Sequence, residues 1–309
     1  MMKTLITGGS GLLGSNLDIP DSVKPSRSEL DLMDYGKIRE YIGDNRIDRI
    51  IHGAALVGGV HANHSRLYEF FDWNLTMNLN VLRACKEFRL NNSIFILSTC
   101  ILPAAGPFPL TERIMQDGEP HFTNYGYAYA KRMLEVGARC LSDEYGIDTT
   151  CLVPCNFYGP NDNHDLVGGH VIPSLIHKCY IAKRDKSDLI VWGSGRPERE
   201  FIHVSDLCRV IGTIHGNQTE DPTRKYPRLM IVSPDCAYTI GEVASLIADA
   251  MGFVGDVVFD GTKPDGILRK PTSNALFSSQ FPDFSFIPLE RGIVSSVEYF
   301  VNNYPNVRK

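Results

Sequence analysis

The fold of this chain is decided by one short stretch, Thr7-Gly8-Gly9-Ser10-Gly11-Leu12-Leu13-Gly14. An apolar run at residues 3–7, typical of a β-strand, precedes the glycines, and a helical pattern of leucines begins within the stretch. In such a strand-turn-helix unit, Gly8 permits the tight turn, Gly11 lets the main chain approach a pyrophosphate, and Gly14 lets the helix pack closely against the strand. The N–H groups at the helix N-terminus favour an anion. The stretch therefore predicts a dinucleotide-binding βαβ unit, with cofactor contacts from Gly8, Ser10, Gly11, Leu12, Leu13 and Gly14.

Beyond this unit, strand and helix patterns alternate along the chain. The β-type runs are residues 49–54, 93–97, 149–154, 189–192 and 229–233, and helical patterns cover residues 35–43, 72–89, 127–145 and 205–215. This alternation predicts an α/β fold, namely a Rossmann-type doubly wound parallel sheet with a smaller α/β C-terminal lobe for the substrate.

The same patterns suggest how the chain is divided. We expect residues 1–160 to form the nucleotide-binding domain, with strands and a helix from residues 188–235 returning to it. Residues 161–309 would then form mainly the substrate-binding lobe. The polar stretches 216–227 and 261–274 are predicted to be surface loops.

Composition and charge exclude several classes of protein. The 309 residues are 43% hydrophobic and 22% charged, which is typical of a globular enzyme. The net charge of −5, without a run of Lys or Arg, argues against a nucleic-acid partner, and no apolar stretch is long enough for a membrane helix or a signal peptide. Because the eight cysteines show no CxxC spacing, we expect neither a metal site nor disulfides, but reduced thiols in a cytoplasmic protein.

The segment after the second strand of the βαβ unit determines which dinucleotide binds. A site for NAD carries Asp or Glu there to bind the ribose 2′-hydroxyl, whereas a 2′-phosphate needs a cation. Here the segment Val23-Lys24-Pro25-Ser26-Arg27 offers cations, and Arg27 can hold a phosphate with two parallel hydrogen bonds. The segment favours NADP(H), and a solvated surface arginine is the alternative.

Further cofactor contacts are expected where other strands of the sheet end. Asp31 and Leu32 lie where an adenine-contacting loop would follow the second strand, and the small residues of His52-Gly53-Ala54-Ala55 allow a cofactor to lie flat. Pro154 and Asn156 end a later strand. Small residues at strand ends also serve packing, which is the alternative interpretation.

A phenol and an ammonium lie one helical turn apart in Tyr127-Ala128-Tyr129-Ala130-Lys131. Residues four apart share a helix face, and the charge of Lys131 would lower the pKa of Tyr127 towards neutrality, as a proton donor or acceptor needs. Such pairs are also common on helices with no catalytic role. Their position favours catalysis, because Ser98, at the end of the preceding predicted strand, can bond the same substrate oxygen.

Two more side chains are candidates for proton transfer. Cys100 lies two residues beyond Ser98 and would face the same cleft, although a buried structural cysteine is the more common case. His170 lies in a glycine-rich loop that opens the second lobe, where an imidazole can act as an acid opposite a base. A solvated loop histidine is the alternative.

Longer motifs resemble those of the GDP-L-fucose synthases, which are epimerase-reductases of the extended short-chain dehydrogenase family. The resemblance runs nearly from end to end. It is carried by Ala55-Leu56-Val57-Gly58-Gly59-Val60-His61-Ala62-Asn63, Ser98-Thr99-Cys100-Ile101-Leu102-Pro103, Tyr127-Ala128-Tyr129-Ala130-Lys131, Asn156-Phe157-Tyr158-Gly159-Pro160-Asn161-Asp162-Asn163, Gly169-His170-Val171-Ile172-Pro173, Val191-Trp192-Gly193-Ser194-Gly195, Arg199-Glu200-Phe201-Ile202-His203 and Thr262-Lys263-Pro264-Asp265-Gly266. The first of these segments and the one around Trp192 are far more specific than the general dehydrogenase signature.

The resemblance implies an activity and a division of roles. GDP-4-keto-6-deoxy-D-mannose would be epimerised at C3 and C5 and then reduced at C4 by NADPH to GDP-L-fucose. Cys100 would be the base that removes the two protons and His170 the acid that returns them. Tyr127, helped by Ser98 and Lys131, would stabilise the enolate and later protonate the C4 oxygen. The family uses Asn156, His170, Lys178, Trp192, Arg199 and Lys270 around the GDP-sugar.

Within this resemblance, several points stay open. Arg199 and Lys270 would pair with the diphosphate, although either can be an ordinary surface cation. The family also suggests a homodimer through the helices at residues 72–89 and 127–145. Two departures from the family pattern are the segment Leu17-Asp18-Ile19-Pro20, which shortens the first helix, and Leu102, which stands where an aromatic residue is usual.

Other functions on this fold are the alternatives. A UDP-sugar 4-epimerase or a 4,6-dehydratase would recycle tightly held NAD, and a dehydratase would carry an acidic residue in place of Cys100. A non-catalytic NADP-binding sensor would have no need for Ser98, Tyr127 and Lys131 together.

Overall fold

The computed structural model describes residues 2–263 and 265–309, apart from the side chains of Val60 and His61. Pro264, part of one family segment, therefore lies outside the described residues. The strands are β1 (Thr4–Thr7), β2 (Ser22–Val23), β3 (Arg49–His52), β4 (Ser93–Ile96), β5 (Thr149–Pro154), β6 (Asn156–Tyr158), β7 (Leu189–Trp192), β8 (Glu198–His203), β9 (Leu229–Val232), β10 (Ala237–Thr239) and β11 (Val257–Asp260). The helices are α1 (Leu12–Asn16), α2 (Tyr35–Asn45), α3 (Val60–Ser65), α4 (Leu67–Phe88), α5 (Tyr125–Tyr145), α6 (Val171–Asp185), α7 (Val204–Glu220), α8 (Ile240–Met251), α9 (Ala275–Gln280) and α10 (Leu289–Asn303).

Six strands form a parallel sheet in the order β2-β1-β3-β4-β5-β9. Successive residues of a strand point to opposite faces, so Leu5 packs into one apolar core with α2, α4 and α5, while Ile6 packs into a second core with α1 and α7. A parallel sheet covered by helices on both faces is the doubly wound architecture that the sequence predicts. The carboxyl ends of its strands meet along one edge.

The other strands form two small sheets, β10-β8-β6 and β11-β7. Helices α6, α8 and α10 pack around a third apolar core that includes Leu175, Ile247 and Phe300. Of the strands within residues 188–235, β9 joins the main sheet, but β7 pairs with β11, contrary to our expectation. An apolar run signals a buried strand without indicating which sheet will bury it.

The ends of the elements follow local signals in most places. Helix α1 ends at Asn16, as the segment around Pro20 predicts, and Leu17 closes it by donating its N–H to the Leu13 carbonyl at 2.9 Å. Helix α7 continues to Glu220, so the prediction of a loop from residue 216 is wrong for its first five residues. The buried Gln218 extends the packed face of α7 through this polar stretch. No helix among the described residues is both long and apolar enough to cross a bilayer.

Candidate active site

Main-chain atoms surround Gly8 and Gly14 in the glycine turn between β1 and α1. Gly8 has a φ of 75°, in the left-handed region that favours glycine, and a Cβ there would lie 2.8 Å from the Ala54 main-chain nitrogen. A Cβ at Gly14 would lie 2.3 Å from the Gly8 carbonyl oxygen. Since these neighbours are backbone atoms, any side chain would push the turn away from the sheet. The turn is a close-fitting cradle of the kind that holds the diphosphate of a dinucleotide.

A cleft of about 1420 Å³ lies at the carboxyl ends of β1, β3, β4 and β5. Its walls bring together the predicted catalytic residues Ser98, Cys100, Tyr127, Lys131 and His170. The predicted binding residues in the same walls are Gly8, Ser10, Gly11, Leu12, Leu13, Gly14, Arg27, Asp31, Leu32, Ala54, Ala55, Asn156, Lys178, Trp192, Arg199 and Lys270. Pro154 is the exception: it is buried in β5, and the next residue, Cys155, lines the cleft instead.

Arg27 is held at the cofactor end of the cleft by an aromatic ring. Its guanidinium carbon lies 4.9 Å from the ring centroid of Trp73 on α4. A cation over an aromatic face is attracted by the ring, so Trp73 helps to position the guanidinium group of Arg27. No sequence motif singled out Trp73.

Beneath the cleft, a buried hydrogen-bond chain connects the sheet to α4 and α5. Thr7 Oγ1 lies 2.8 Å from His52 Nδ1, and His52 Nε2 lies 3.0 Å from Asn78 Oδ1. The Asn78 amide in turn donates to the Ala130 carbonyl at 2.9 Å. Burial lowers the pKa of His52 to about 3, and the charge of Lys131 adds to this shift, so the imidazole stays neutral. The sequence analysis did not predict this network, although an Asn on the apolar face of a predicted helix is a signal for it.

Burial changes the pKa values of both members of the predicted catalytic pair, Tyr127 and Lys131. Lys131 Nζ donates to the Ile96 carbonyl at 2.8 Å, and burial lowers the pKa of Lys131 to about 8. We expected its charge to lower the pKa of Tyr127. Burial instead raises the pKa of Tyr127, and the nearby Cys100 thiol raises it further, because desolvation outweighs the effect of the helix neighbour. Tyr127 therefore holds its proton at neutral pH.

Cys100 lies in a short 3₁₀ turn, Thr99–Ile101, directly after β4. Ser98 precedes this turn and accepts a hydrogen bond from the Cys100 N–H at 3.3 Å. Burial raises the pKa of the Cys100 thiol, whereas the Ser98 hydroxyl and the charges of Lys270, Lys131 and Arg132 lower it. The thiol is therefore desolvated but faces positive charge.

His170 immediately precedes α6 and faces the cleft. His170 is an exposed residue of the cleft wall. Desolvation by the surrounding protein lowers the pKa of its imidazole, and the charge of Arg308 adds to the shift. Asp162 and Arg308 line the same wall, and sequence reasoning missed both. Burial raises the pKa of Asp162 to about 7. Asp162 falls within a family segment, but nothing in the sequence pointed to Arg308.

The far end of the cleft carries the residues predicted to contact the GDP-sugar. Lys178 Nζ lies 3.9 Å from the ring centroid of Trp192, whose side chain is exposed in the cleft wall. Asn156 donates its amide to the Glu200 carbonyl at 2.9 Å, and Arg199 donates to the Ile267 carbonyl at 2.7 Å. These contacts fix an aromatic face and several donors around one end of the cleft.

Lys270 is placed differently from the other substrate candidates. Its Nζ donates to the carbonyls of Thr99 at 3.2 Å and Leu102 at 2.9 Å, which flank Cys100. Burial lowers the pKa of Lys270 to about 8. The Lys270 ammonium group therefore contacts the turn that carries Cys100.

Comparison with known proteins identifies the family. The model of the NAD dependent epimerase/dehydratase family matches residues 19–226. The chain belongs to this family. It is 39% identical to a GDP-L-fucose synthase from Dictyostelium discoideum over 99% of this chain and 97% of that protein. It is also 34% identical to a GDP-L-colitose synthase from Yersinia pseudotuberculosis over 99% of this chain and 100% of that protein.

A solved structure is similar over the whole length. A GDP-L-fucose synthetase from Naegleria fowleri bound to NADP is 34% identical, with a TM-score of 0.90, and the match covers 100% of this chain and 95% of that one. These comparisons confirm the resemblance to GDP-L-fucose synthases and the Rossmann-type α/β fold. The family match begins at residue 19, after the glycine turn, so the turn is recognised from its geometry.

Proposed function

We propose that this chain is an NADPH-dependent GDP-L-fucose synthase. It epimerises GDP-4-keto-6-deoxy-D-mannose at C3 and C5 and then reduces C4 to give GDP-L-fucose. The observation that carries the proposal is the convergence of Cys100, Tyr127 and His170 on one cleft that also contains the glycine turn. The full-length similarity to proteins of this name supports the choice of substrate.

In the epimerisation, Cys100 removes the proton from C3 and His170 returns a proton on the opposite face. The thiol then releases its proton to solvent and the imidazole takes one up, and the same two groups invert C5. The 4-keto group makes both carbons acidic, because the negative charge moves to its oxygen as an enolate. Positive charge around Cys100 favours the thiolate that the base requires. The lowered pKa of His170 makes its protonated form a stronger acid, and it also leaves the ring mainly neutral at pH 7 before the proton is delivered.

In both steps, Tyr127 and Ser98 bind the C4 oxygen. Tyr127 holds its proton at neutral pH, which suits a group that stabilises an enolate by hydrogen bonding and then protonates the alkoxide. Lys131, fixed against the Ile96 carbonyl, adds positive charge beside the phenol. Bound NADPH supplies the hydride for C4, and the glycine turn and Arg27 are the groups that would hold its diphosphate and its 2′-phosphate.

The assignment is tested by supplying purified protein with NADPH and a panel of nucleotide sugars. NADPH absorbance should fall with GDP-4-keto-6-deoxy-D-mannose and remain constant with UDP-sugars. An equal rate with UDP-sugars would remove the assignment and favour a 4-epimerase or dehydratase.

The role of the thiol is tested separately. Cys100→Ser replaces the base by a hydroxyl that does not ionise near neutral pH, so exchange of the C3 hydrogen with deuterated solvent should fall to background while NADPH binding is unchanged. Exchange is followed by NMR of the nucleotide sugar. Retained exchange would show that another group is the base.

A GDP-L-colitose synthase is the second candidate, and the relative from Yersinia pseudotuberculosis supports it. The same panel distinguishes the two activities when it includes the substrates of both enzymes. The more rapidly reduced sugar at equal concentration identifies the function.

We also propose a cytoplasmic homodimer that pairs through α4 and α5, and a substrate lobe formed mainly by residues 161–309. Large apolar side chains are exposed on the two helices at Tyr68, Leu79 and Tyr125, which supports an interface there. Sedimentation velocity should show a dimer, and Leu79→Glu should shift it towards monomer. A wild-type monomer would contradict this arrangement.

A further inference from the structure

The turn that carries Cys100 is held by two cations from distant parts of the chain. Arg132 of α5 donates from Nε to the Ile101 carbonyl at 3.0 Å and from a terminal nitrogen to the Gly118 carbonyl at 3.1 Å. Lys270 donates to the carbonyls of Thr99 and Leu102. Three carbonyls of the segment 99–102 are thus taken by side-chain donors, because a turn this short satisfies few of them itself.

The charge of this cluster is not balanced by acidic residues. Lys131 and Arg132 are buried, with relative exposures of 2% and 3%, and Lys270 is half-buried. Within residues 2–263 and 265–309, none of the three forms a salt bridge with a carboxylate. Burying positive charge is costly unless an anion faces it. The ionisable group that all three cations face is the Cys100 thiol, with Ser98 and Tyr127 beside it.

We propose that Arg132 and Lys270 are positioning residues for Cys100: they hold its turn and stabilise the thiolate that removes the sugar protons. The statement that the thiolate removes sugar protons rests on the proposed function. The statement that Arg132 and Lys270 stabilise the thiolate does not. Burial raises the pKa of Cys100 overall, and the charges of Lys270, Lys131 and Arg132 each oppose this rise, which agrees with the geometry.

Arg132 is suited to this position by its shape. Its guanidinium lies 5.1 Å from the ring centroid of Tyr129, and its planar fork joins the thiol turn to the loop at Gly118. A lysine presents a single point of attachment and cannot bridge both carbonyls with fixed geometry. Lys270, in contrast, contacts the turn from the loop between β11 and α9.

The test measures the ionisation of the thiol in the full-length protein without any nucleotide sugar. The rate of alkylation of Cys100 by iodoacetamide is followed against pH by mass spectrometry of its peptide, which separates it from the exposed Cys140 and Cys236. In Lys270→Met, the midpoint should rise by about one pH unit, and Lys270→Arg should restore it. Arg132→Met should act in the same direction, with Arg132→Lys restoring the charge but not the bidentate contact.

The matched control is Arg139→Met, on the same helix but paired with Glu135. It should leave the midpoint unchanged, which shows that loss of a cation from α5 is not sufficient. Deuterium exchange at C3 should fall at least tenfold in Lys270→Met with unchanged NADPH affinity. If Lys270→Met raises only the KM for the sugar and the midpoint does not move, Lys270 serves the diphosphate and the inference is overturned.

The two proposals can fail independently. A shifted midpoint in a protein that never exchanges C3 hydrogen would sustain the electrostatic inference and overturn the proposed function. If Arg132→Met does not fold, the comparison of Lys270→Met with Lys270→Arg still tests the inference.

Discussion

The cofactor end of the cleft is shaped by main chain, whereas the reactive end is shaped by buried, charged side chains. At Gly8 and Gly14 the nearest neighbours are main-chain atoms, and a side chain at either position would force the turn to move. Around Cys100, three cations and a network of hydrogen bonds set the properties of one thiol. The main chain around the glycine turn therefore limits shape, whereas the properties of the Cys100 turn depend on charge and desolvation.

The largest expected effect concerns the reactive end. Tyr127→Phe removes the phenolic hydroxyl but keeps the ring, so the hydride-transfer rate should fall by roughly 100- to 10,000-fold while NADPH affinity is retained. Single-turnover kinetics measure the rate. Tyr145→Phe, at the C-terminal end of the same helix and outside the cleft, is the control and should be normal. Unchanged hydride transfer in Tyr127→Phe would place the proton donor elsewhere.

The shape of the main-chain end is tested by one methyl group. Gly14→Ala forces a Cβ against the Gly8 carbonyl, so the turn must move and NADPH affinity should fall roughly 100-fold. Fluorescence titration with NADPH measures the affinity. Gly43→Ala, where a Cβ would meet nothing within 4 Å, should bind NADPH normally. Equal NADPH affinities in the two variants would contradict the claim that main-chain atoms limit the shape of the glycine turn.

The network below the cleft should contribute to stability. Asn78→Ala leaves the His52 ring nitrogen and the Ala130 carbonyl without their partner, which should lower the free energy of unfolding by about 1–3 kcal/mol. Urea unfolding measures the loss. Asn303→Ala, which removes an exposed hydrogen bond, should change it by less than about 0.5 kcal/mol. Similar losses in both would contradict a structural role for the network.

The smallest effect is expected at Arg27, where a side chain serves the main-chain end. Arg27→Ala should weaken NADPH binding by about tenfold and leave NADH binding unchanged, because only NADPH carries the 2′-phosphate. Comparing the two affinities sharpens the contrast. Equal weakening of both would indicate that Arg27 contacts the part common to the two cofactors.

The same contrast explains what the sequence could predict. The glycine turn and the pair Tyr127 and Lys131 depend on spacings within a few residues, so local pattern was sufficient to find them. The ammonium of Lys270 reaches the Cys100 turn across 168 to 171 residues of chain, and no local signal carries that contact. The fold could also be predicted from local patterns, because strand and helix patterns alternate along the chain.

The wrong predictions have related physical causes. The apolar run of β7 was assigned to the main sheet, because hydrophobicity indicates burial but not the pairing partner. The pKa of Tyr127 was expected to fall, because sequence shows the neighbouring charge of Lys131 but not how deeply the phenol is desolvated. Pro154 was assigned to the cofactor because it ends β5, whereas its side chain packs into the interior.

Helix α5 contributes to both steps of the proposed reaction from adjacent residues. Tyr127 and Lys131 line the cleft, and Arg132 holds the turn that carries Cys100, the proposed epimerisation base. The helix packs along α4. A displacement of α5 would disturb isomerisation and reduction together, which makes independent adjustment of the two rates by substitutions along this helix difficult.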